Sequence, residues 1–506
     1  MSLDDLTATL ATAEVQATAL DTERAEAVAD AARWRETATS LGDQLTAAQQ
    51  AAGAYAATVA QLNARLAELA LRPIEEYDQH YGVSDEATIT ATWGPVTIVD
   101  LVPLGGGDLD ADLENTLARQ SGRVVVRLPA GIYWLRRFRM IGKSGDPNYA
   151  TGFWNTKLQG LLGAGALRTF VFLAPNVMTD AQLARLAQLT TGNVNQMMMG
   201  RLDGTNVRIG GITFGAADQQ PLTAVHSTVA AKPNAPVLGQ PAPHAGIVLY
   251  SGATAIVSYC HFAGAAHLWT SEPPFEHANI GSQYGQIRFE HCTFDGRRHP
   301  LLDPARPRRC APVMANNETS HTMEDCRLSH SGAGRYAYNA QNRETRGTLA
   351  LTRCTVDHIA DNRNTDPALN GGKSLGGVTN PSCLGFETSA DRIELTDVHL
   401  RQDNPDPTGR AQHIQLTYVG ARSVASLADP GPLVVRGGTF RHVQPALDGM
   451  LCLWVPKTAG NTWADLSRIE VYGPDGTRLQ PWEPGGTYPP ARPAGVGPAT
   501  HYYVGR

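Results

Sequence analysis

The stretch "IRFEHCTFDG", Ile287–Gly296, alternates, slips and alternates again. Ile287 and Phe289 form one face of a short strand, and Cys292 and Phe294 form one face of another. Between the pairs the phase shifts by one residue. Such a shift marks a corner at which two strands meet and the inward face is reset. The phrase returns along the chain as "VRIGGITF" (207–214), "AIVSYCHF" (255–262), "HTMEDCRL" (321–328), "LALTRCTV" (349–356), "IELTDVHL" (393–400) and "LVVRGGTF" (433–440). Anchored on the small residue after the slip, the spacing runs from 28 residues (Cys326 to Cys354) to 48 (Ile212 to Cys260).

A two-strand corner cannot bury its apolar side alone and must stack on copies of itself. Parallel stacking gives a β-solenoid whose interior is files of like residues, with loops of variable length inserted at other corners. The expected fold class is therefore mainly β, a right-handed parallel β-helix. Cys260, Cys292, Cys326 and Cys354 then share one file with Ile212, Val398 and Gly438. Phe214, Phe262, Phe294, Leu328, Val356, Leu400 and Phe440 form the next. The chain has 7 cysteines; repeated on successive rungs, a thiol acts as a small buried hydrophobe rather than as a nucleophile. No pair is spaced as in a zinc site, and no metal or cofactor is expected.

Ahead of the repeats lies "LGGGDLDADLENTLARQSGRVVVRLPAGIYWL" (104–135). Asp110 or Asp112 can cap a short helix carrying Leu113 and Leu117, a lid for the open end of the solenoid. This Asp-rich turn, helix, and strand ending in Pro129, Gly131 and Tyr133 resembles the N-terminal cap of pectate-lyase-superfamily β-helices. The combination is similar to bacteriophage tailspikes and minor tail proteins. The resemblance implies a homotrimeric virion protein, attached to other tail proteins at its N-terminus and recognising a host cell-surface polysaccharide.

Residues 3–69 carry heptads. One seam position reads Leu3, Leu10, Ala17, Arg24, Ala31, Ala38, Leu45; its partner reads Leu6, Ala13, Leu20, Ala27, Trp34, Leu41. The pattern predicts a long N-terminal α-helical coiled coil, roughly 100 Å at ~1.5 Å per residue; a long helix packed on a partner's surface fits the same pattern. The expected domains are 1–72, a coiled-coil attachment and trimerisation helix; 73–102, a neck; 103–455, the capped β-helix; and 456–506, a C-terminal cap or tail. "TDAQLARLAQL" (179–189) reads as an inserted amphipathic helix, and 218–244 and 297–312 as loops.

The net charge of −6 argues against a nucleic-acid partner. The opening "MSLDDLTATL" shows no leader pattern, and no apolar run reaches the length of a membrane span. These features fit assembly in a host cytoplasm and residence in a virion tail.

Glycan-cleaving β-helices use paired carboxylates, one protonating the leaving oxygen and one activating water. The column three residues past the anchor should face outward, and it holds Asp295, Ser329 and Asp357. With no cryptic rung between them, the two aspartates lie ~9.6 Å apart at ~4.8 Å per rung. The column before the anchor holds His291, Asp325 and Arg353, which adds Asp325 as a third candidate acid. A solvated polar ladder accounts for the same residues. His330, His358 and His442 read as stacked corner residues. Trp269, Tyr336 and Tyr338 are candidate sugar-stacking surfaces or rung fillers. Glu318, Glu344 and Glu387 recur in Glu-Thr steps that could bind hydroxyls, act as acids or form a corner motif. Three functions remain open: an adhesin, a glycan depolymerase of hydrolase rather than lyase type, and a purely structural tail or baseplate part.

Overall fold

The computed structural model describes residues 2–71, 85–105, 107–136, 139–140, 155–174, 197–198, 200–203, 205–216, 247–250, 254–263, 280–283, 286–295, 301, 313–316, 320–329, 336–342, 347–359, 382–388, 390–403, 416–419, 432–442, 445–455, 466–484 and 491–505. The chain divides into two compact units, Met1–His80 and Tyr81–Arg506.

The first unit is one continuous α-helix, Leu3–Leu71. Its seam lies open in the single chain, with Leu3 at 84% and Trp34 at 73% exposure. Threonines along it, among them Thr7, Thr18 and Thr39, bond back to the carbonyl four residues earlier. No described helix is long and apolar enough to cross a membrane.

The second unit is a parallel β-solenoid with three long sheets. Among the described residues the first has 11 strands, from Ile98–Asp100 to Ile469–Tyr472; the second has 9, from Gly131–Leu135 to Thr439–His442; the third has 10, from Gly200–Asp203 to His501–Gly505 and, beside it, Gln480–Trp482. The chain visits them in turn, as in Gln286–Glu290, Thr293–Asp295 and Val313–Asn316. Every pairing in these sheets is parallel, for example Phe289 with Val257 and Met323.

The phase slip has a concrete backbone cause. Tyr259, His291, Asp325, Arg353 and Asp397 all have φ between 51° and 54°, and Gly211 and Gly437 close the column at 64° and 65°. On these seven rungs a left-handed residue just before the small anchor residue swings the chain from the first sheet to the second. Each non-glycine there costs ~1–2 kcal/mol. The hydrogen bonding that continues through the corner offsets that cost: His291 N donates to Glu324 O at 3.0 Å and Thr293 N to Cys260 O at 2.9 Å.

Inside, the files are those read from the sequence. Cys260, Cys292, Cys326 and Cys354 are buried, free thiols, and burial pushes the last three well above the usual thiol pKa. Phe214, Phe262 and Phe294 form a parallel stack with centroids 5.3 and 5.0 Å apart. One file breaks the pattern. His321 stands between Ile287 and Leu349, fully buried, and desolvation lowers its pKa to about 3.

The lid is the helix Leu109–Ala118, and Leu109, Leu113 and Leu117 join the core. Its cap is Asp108 rather than Asp110 or Asp112, because Asp108 holds the extended conformation just before the first turn and accepts from Ala111 N. Asp110 and Asp112 lie inside that turn and accept instead from Arg136 N at 3.0 Å and Leu104 N at 2.6 Å.

The stretch read as a neck is, from residue 85 on, part of the solenoid unit. Ile89 and Trp93 pack on the outer face of the first sheet against Val125 and Leu162. Trp93 Nε1 donates to Ser258 Oγ (3.3 Å), Arg208 Nε donates to Trp93 O (2.8 Å), and Thr92 Oγ1 donates to Glu290 Oε2 (2.8 Å). Gly210 lies beneath this strap, where a Cβ would meet Ile89 Cγ2 at 2.2 Å. The C-terminal stretch also continues the solenoid, with Ile469, Val471, Tyr502 and Val504 in the core. The expected helix at 179–189 and the loop 218–244 lie outside the described residues, as does 297–312 apart from Leu301.

Candidate functional site

The second sheet carries the candidate site on its outer face. Along its strands from Thr213–Ala216 to Thr439–His442 the second residue joins the core and the first and third lie on the outer face, as in Thr293–Phe294–Asp295. The register aligns Ala263, Asp295, Ser329, Asp357, Arg401 and Arg441 in one outer column. Its companion holds His261, Thr293, Arg327, Thr355, His399 and Thr439. No rung intervenes between Asp295 and Asp357 except that of Ser329, so the sequence-derived spacing of ~9.6 Å stands at ~4.8 Å per rung.

The exposure of this column differs from expectation. Asp295 is 1% and Asp357 7% exposed, and Ser329, His261 and Thr293 are buried with them. These side chains leave the solenoid interior but do not reach solvent. A buried carboxylate requires charge or hydrogen-bond compensation. For Asp357 it comes from Arg327, whose Nη2 lies 3.1 Å from Oδ2 across adjacent rungs. Further along the sheet, at His399, Arg401, Thr439 and Arg441, the same two columns are exposed. Arg441 pairs with Asp448 at 3.4 Å, and His399 Nδ1 lies 2.8 Å from Thr439 Oγ1. The face thus grades from buried aromatic (Phe170, Phe172) through buried polar to exposed cationic.

Asp325 belongs to a different structure. It occupies the left-handed corner, and both its oxygens accept from Arg353 at 2.8 Å. Glu324 also pairs with Arg353, and with Arg288 at 3.4 Å. Arg288 reaches Glu290 at 2.6 Å. These acids hold the Arg353 proton more tightly than usual. With its lone pairs committed to a guanidinium, Asp325 is a corner brace and not a free acid. The stacked rings of Tyr259 and His291, 4.7 Å apart, continue the same ladder.

The other sequence candidates do not gather on this face. Tyr338 stands in register with Val313 and Leu384, and Leu384 is a core residue; Tyr336 pairs with Ser382 on the same strand. Both therefore belong to the third sheet, as does Glu387, in register with Gln341 and Val419. His442 is buried at the end of the second sheet, and His358 lies on that sheet in register with Gln402. Trp269, Glu318, Glu344 and His330 lie outside the described residues. The sequence reading did not single out Arg327, His261 and Thr293. Their signal was the polar residue directly after each anchor, two positions before the aspartate column. No group of three metal-binding side chains occurs among the described residues.

No family model matches the chain, and no curated protein sequence matches it. Among solved structures it is similar to catalytic domains of GH87 alpha-1,3-glucanase. One, a substituted form in complex with tetrasaccharides, is 9% identical over 76% of this chain and 52% of that chain, with a TM-score of 0.36. Another, in complex with nigerose, is 9% identical over 75% of this chain and 63% of that one, with a TM-score of 0.29. This chain therefore spans less than two thirds of the length of either.

Proposed function

We propose that the chain is a spike- or fibre-type adhesin of a bacteriophage tail, a homotrimer that recognises a polysaccharide on the host cell surface. The observation that carries this reading is the outer face of the second sheet. Its exposed stretch sets the imidazole of His399 and the hydroxyl of Thr439 in one column and the guanidinium groups of Arg401 and Arg441 in the next, repeating at the rung period. Such an array suits a linear polymer that repeats its own hydroxyls. The right hand of the solenoid follows from the hand of nearly all parallel crossovers. The long helix with its open apolar seam is the element that brings three copies together and meets other tail proteins. Residues 1–72 are then attachment, 103–455 the recognition body and 456–506 its closing end, with the protein resident in the virion tail.

The Asp295–Asp357 spacing favours a second reading, glycan hydrolysis on the same face. Counted as two rungs, ~9.6 Å, it sits at the upper edge of the ~6.5–9.5 Å between carboxyl groups in inverting hydrolases, in which one acid protonates the leaving oxygen while the other activates water. That chemistry requires both acids to be uncovered, and they are 1% and 7% exposed here. In that reading Arg327 holds Asp357 in place across the rung.

The test uses the full chain against capsule and wall glycans, with binding read on an array and cleavage as reducing-end release. Binding without release supports the adhesin. Release that vanishes in D295N and D357N while binding persists supports the hydrolase. A chain that binds no glycan and adsorbs to no cell is a structural tail part, and both readings fail.

A further inference from the structure

A single cation interrupts the apolar seam of the helix Leu3–Leu71. Arg24 follows Leu20 and precedes Ala27 in a seam whose other members from Leu3 to Leu45 are Leu, Ala or Trp. Leu20 and Trp34 are exposed with the rest of that seam. We propose that this helix assembles parallel and in register with copies of itself, Arg24 of each copy bonding Glu23 of its neighbour. The proposal rests on the coiled-coil reading above and adds its polarity, register and specifying contact.

The geometry follows from how seam side chains interlock. A knob from the Arg24 position of a parallel, unstaggered neighbour enters a hole bounded by Leu20, Glu23, Arg24 and Ala27. Glu23 is the acid in that hole, and Ala27 leaves room for the long Arg stem. Adjacent residues on one helix do not face each other, so Glu23 cannot serve Arg24 of its own chain. A stagger of one heptad would offer Asp30 instead, but Asp30 already pairs with Arg33 of its own helix. A closed ring of identical chains also forbids a uniform stagger, because the shifts must sum to zero around the ring.

Packing agrees independently. Trp34, the largest described seam residue, sits between Ala31 and Ala38. In register, a wide layer of indoles falls between two narrow alanine layers. Any shift sets indoles against narrow layers and leaves gaps elsewhere. A charged residue at one seam position sets register at some loss of stability, as polar seam residues do in coiled coils generally.

The full chain tests this. E23R and R24E each place like charges in the hole and should weaken self-association at least tenfold, read by sedimentation and by the helix melting midpoint. The charge swap E23R/R24E should restore most of it. In A27C, oxidation should join the two equivalent thiols of neighbouring chains. A swap no better than the single changes overturns the proposal, as does failure of A27C to cross-link. Rescue of R24E by D21R, one turn back on the same helix, also overturns it by assigning Arg24 a partner within its own chain. A wild-type chain that sediments as a monomer overturns the coiled-coil reading itself, whereas an oligomer without rescue removes only the register.

Discussion

The Arg353 guanidinium grips the Asp325 carboxylate with two hydrogen bonds of 2.8 Å, from one rung to the next, and both residues stand in the left-handed region. Corner after corner, the chain places a side chain with a bonding or stacking partner where glycine would be less strained. These columns hold adjacent rungs in register.

The corner column makes the first prediction. Asp397→Val puts a β-branched residue at φ 52° and should cost about 1–2 kcal/mol, whereas Asp397→Gly should be close to neutral. Urea denaturation of both variants checks it; equal losses would remove the backbone explanation. On the next rung Gly437→Ala should also destabilise, since a Cβ there would lie 2.4 Å from Asp397 Oδ1. In the Asp397→Gly background that loss should shrink.

The strap over the first sheet supplies the second. Gly210→Ala drives a methyl group into Ile89 and Trp93 and should cost about 1–3 kcal/mol. Ile89→Ala should recover part of that loss in the double variant. If the two losses simply add, the strap does not press on Gly210.

His321 gives a pH dependence. Burial lowers its pKa from 6.5 to about 3, so between those values the unfolded chain binds a proton that the folded chain refuses. Its contribution is intact above pH 6.5 and is lost as the pH falls toward 3. His321→Leu, matching Leu349 in the same file, should flatten the denaturation midpoint against pH across that window. An unchanged slope would place the dependence on other groups.

Removing the Arg327 guanidinium should leave Asp357 buried without its cation. Arg327→Leu should destabilise by about 3 kcal/mol, and the double change R327L/D357L should regain most of it. Thermal melts in a double-mutant cycle measure the coupling.

The thiol file predicts chemical silence. Alkylation of the native chain at pH 8 should leave Cys260, Cys292, Cys326 and Cys354 unlabelled, and denaturant should open all four together. Peptide mapping by mass would show any that react early.

The sequence revealed those parts of the fold that have fixed offsets. The first and second sheets were legible because a two-residue corner ties them, so "IRFEHCTF" carries both strands in one phrase. The third sheet was not, because stretches of differing length, 264–279 and 296–312, precede Ile280–Gln283 and Val313–Asn316 and erase any constant spacing. The rung at Leu158–Gly163 was also missed. Its corner runs through Ala164–Arg168 instead of a single left-handed residue, and the slip therefore never appears. For the site, the Asp295–Ser329–Asp357 column could be counted from the anchor, and its register holds. Its burial could not be read, because an outward position says nothing about what folds over it. Asp325 was read as an acid for a related reason: left-handed geometry and a partner 28 residues away leave no local mark.

Among the described residues the second sheet ends at Thr439–His442, while the first continues to Ile469–Tyr472 and the third to Gln480–Trp482. A further coil laid on that described end would find two walls to copy rather than three. Together with the helical plug at the opposite end, this makes the stack self-limiting. Neither end of the described stack offers a complete template, so these ends should not pair tip to tip into fibrils at high concentration.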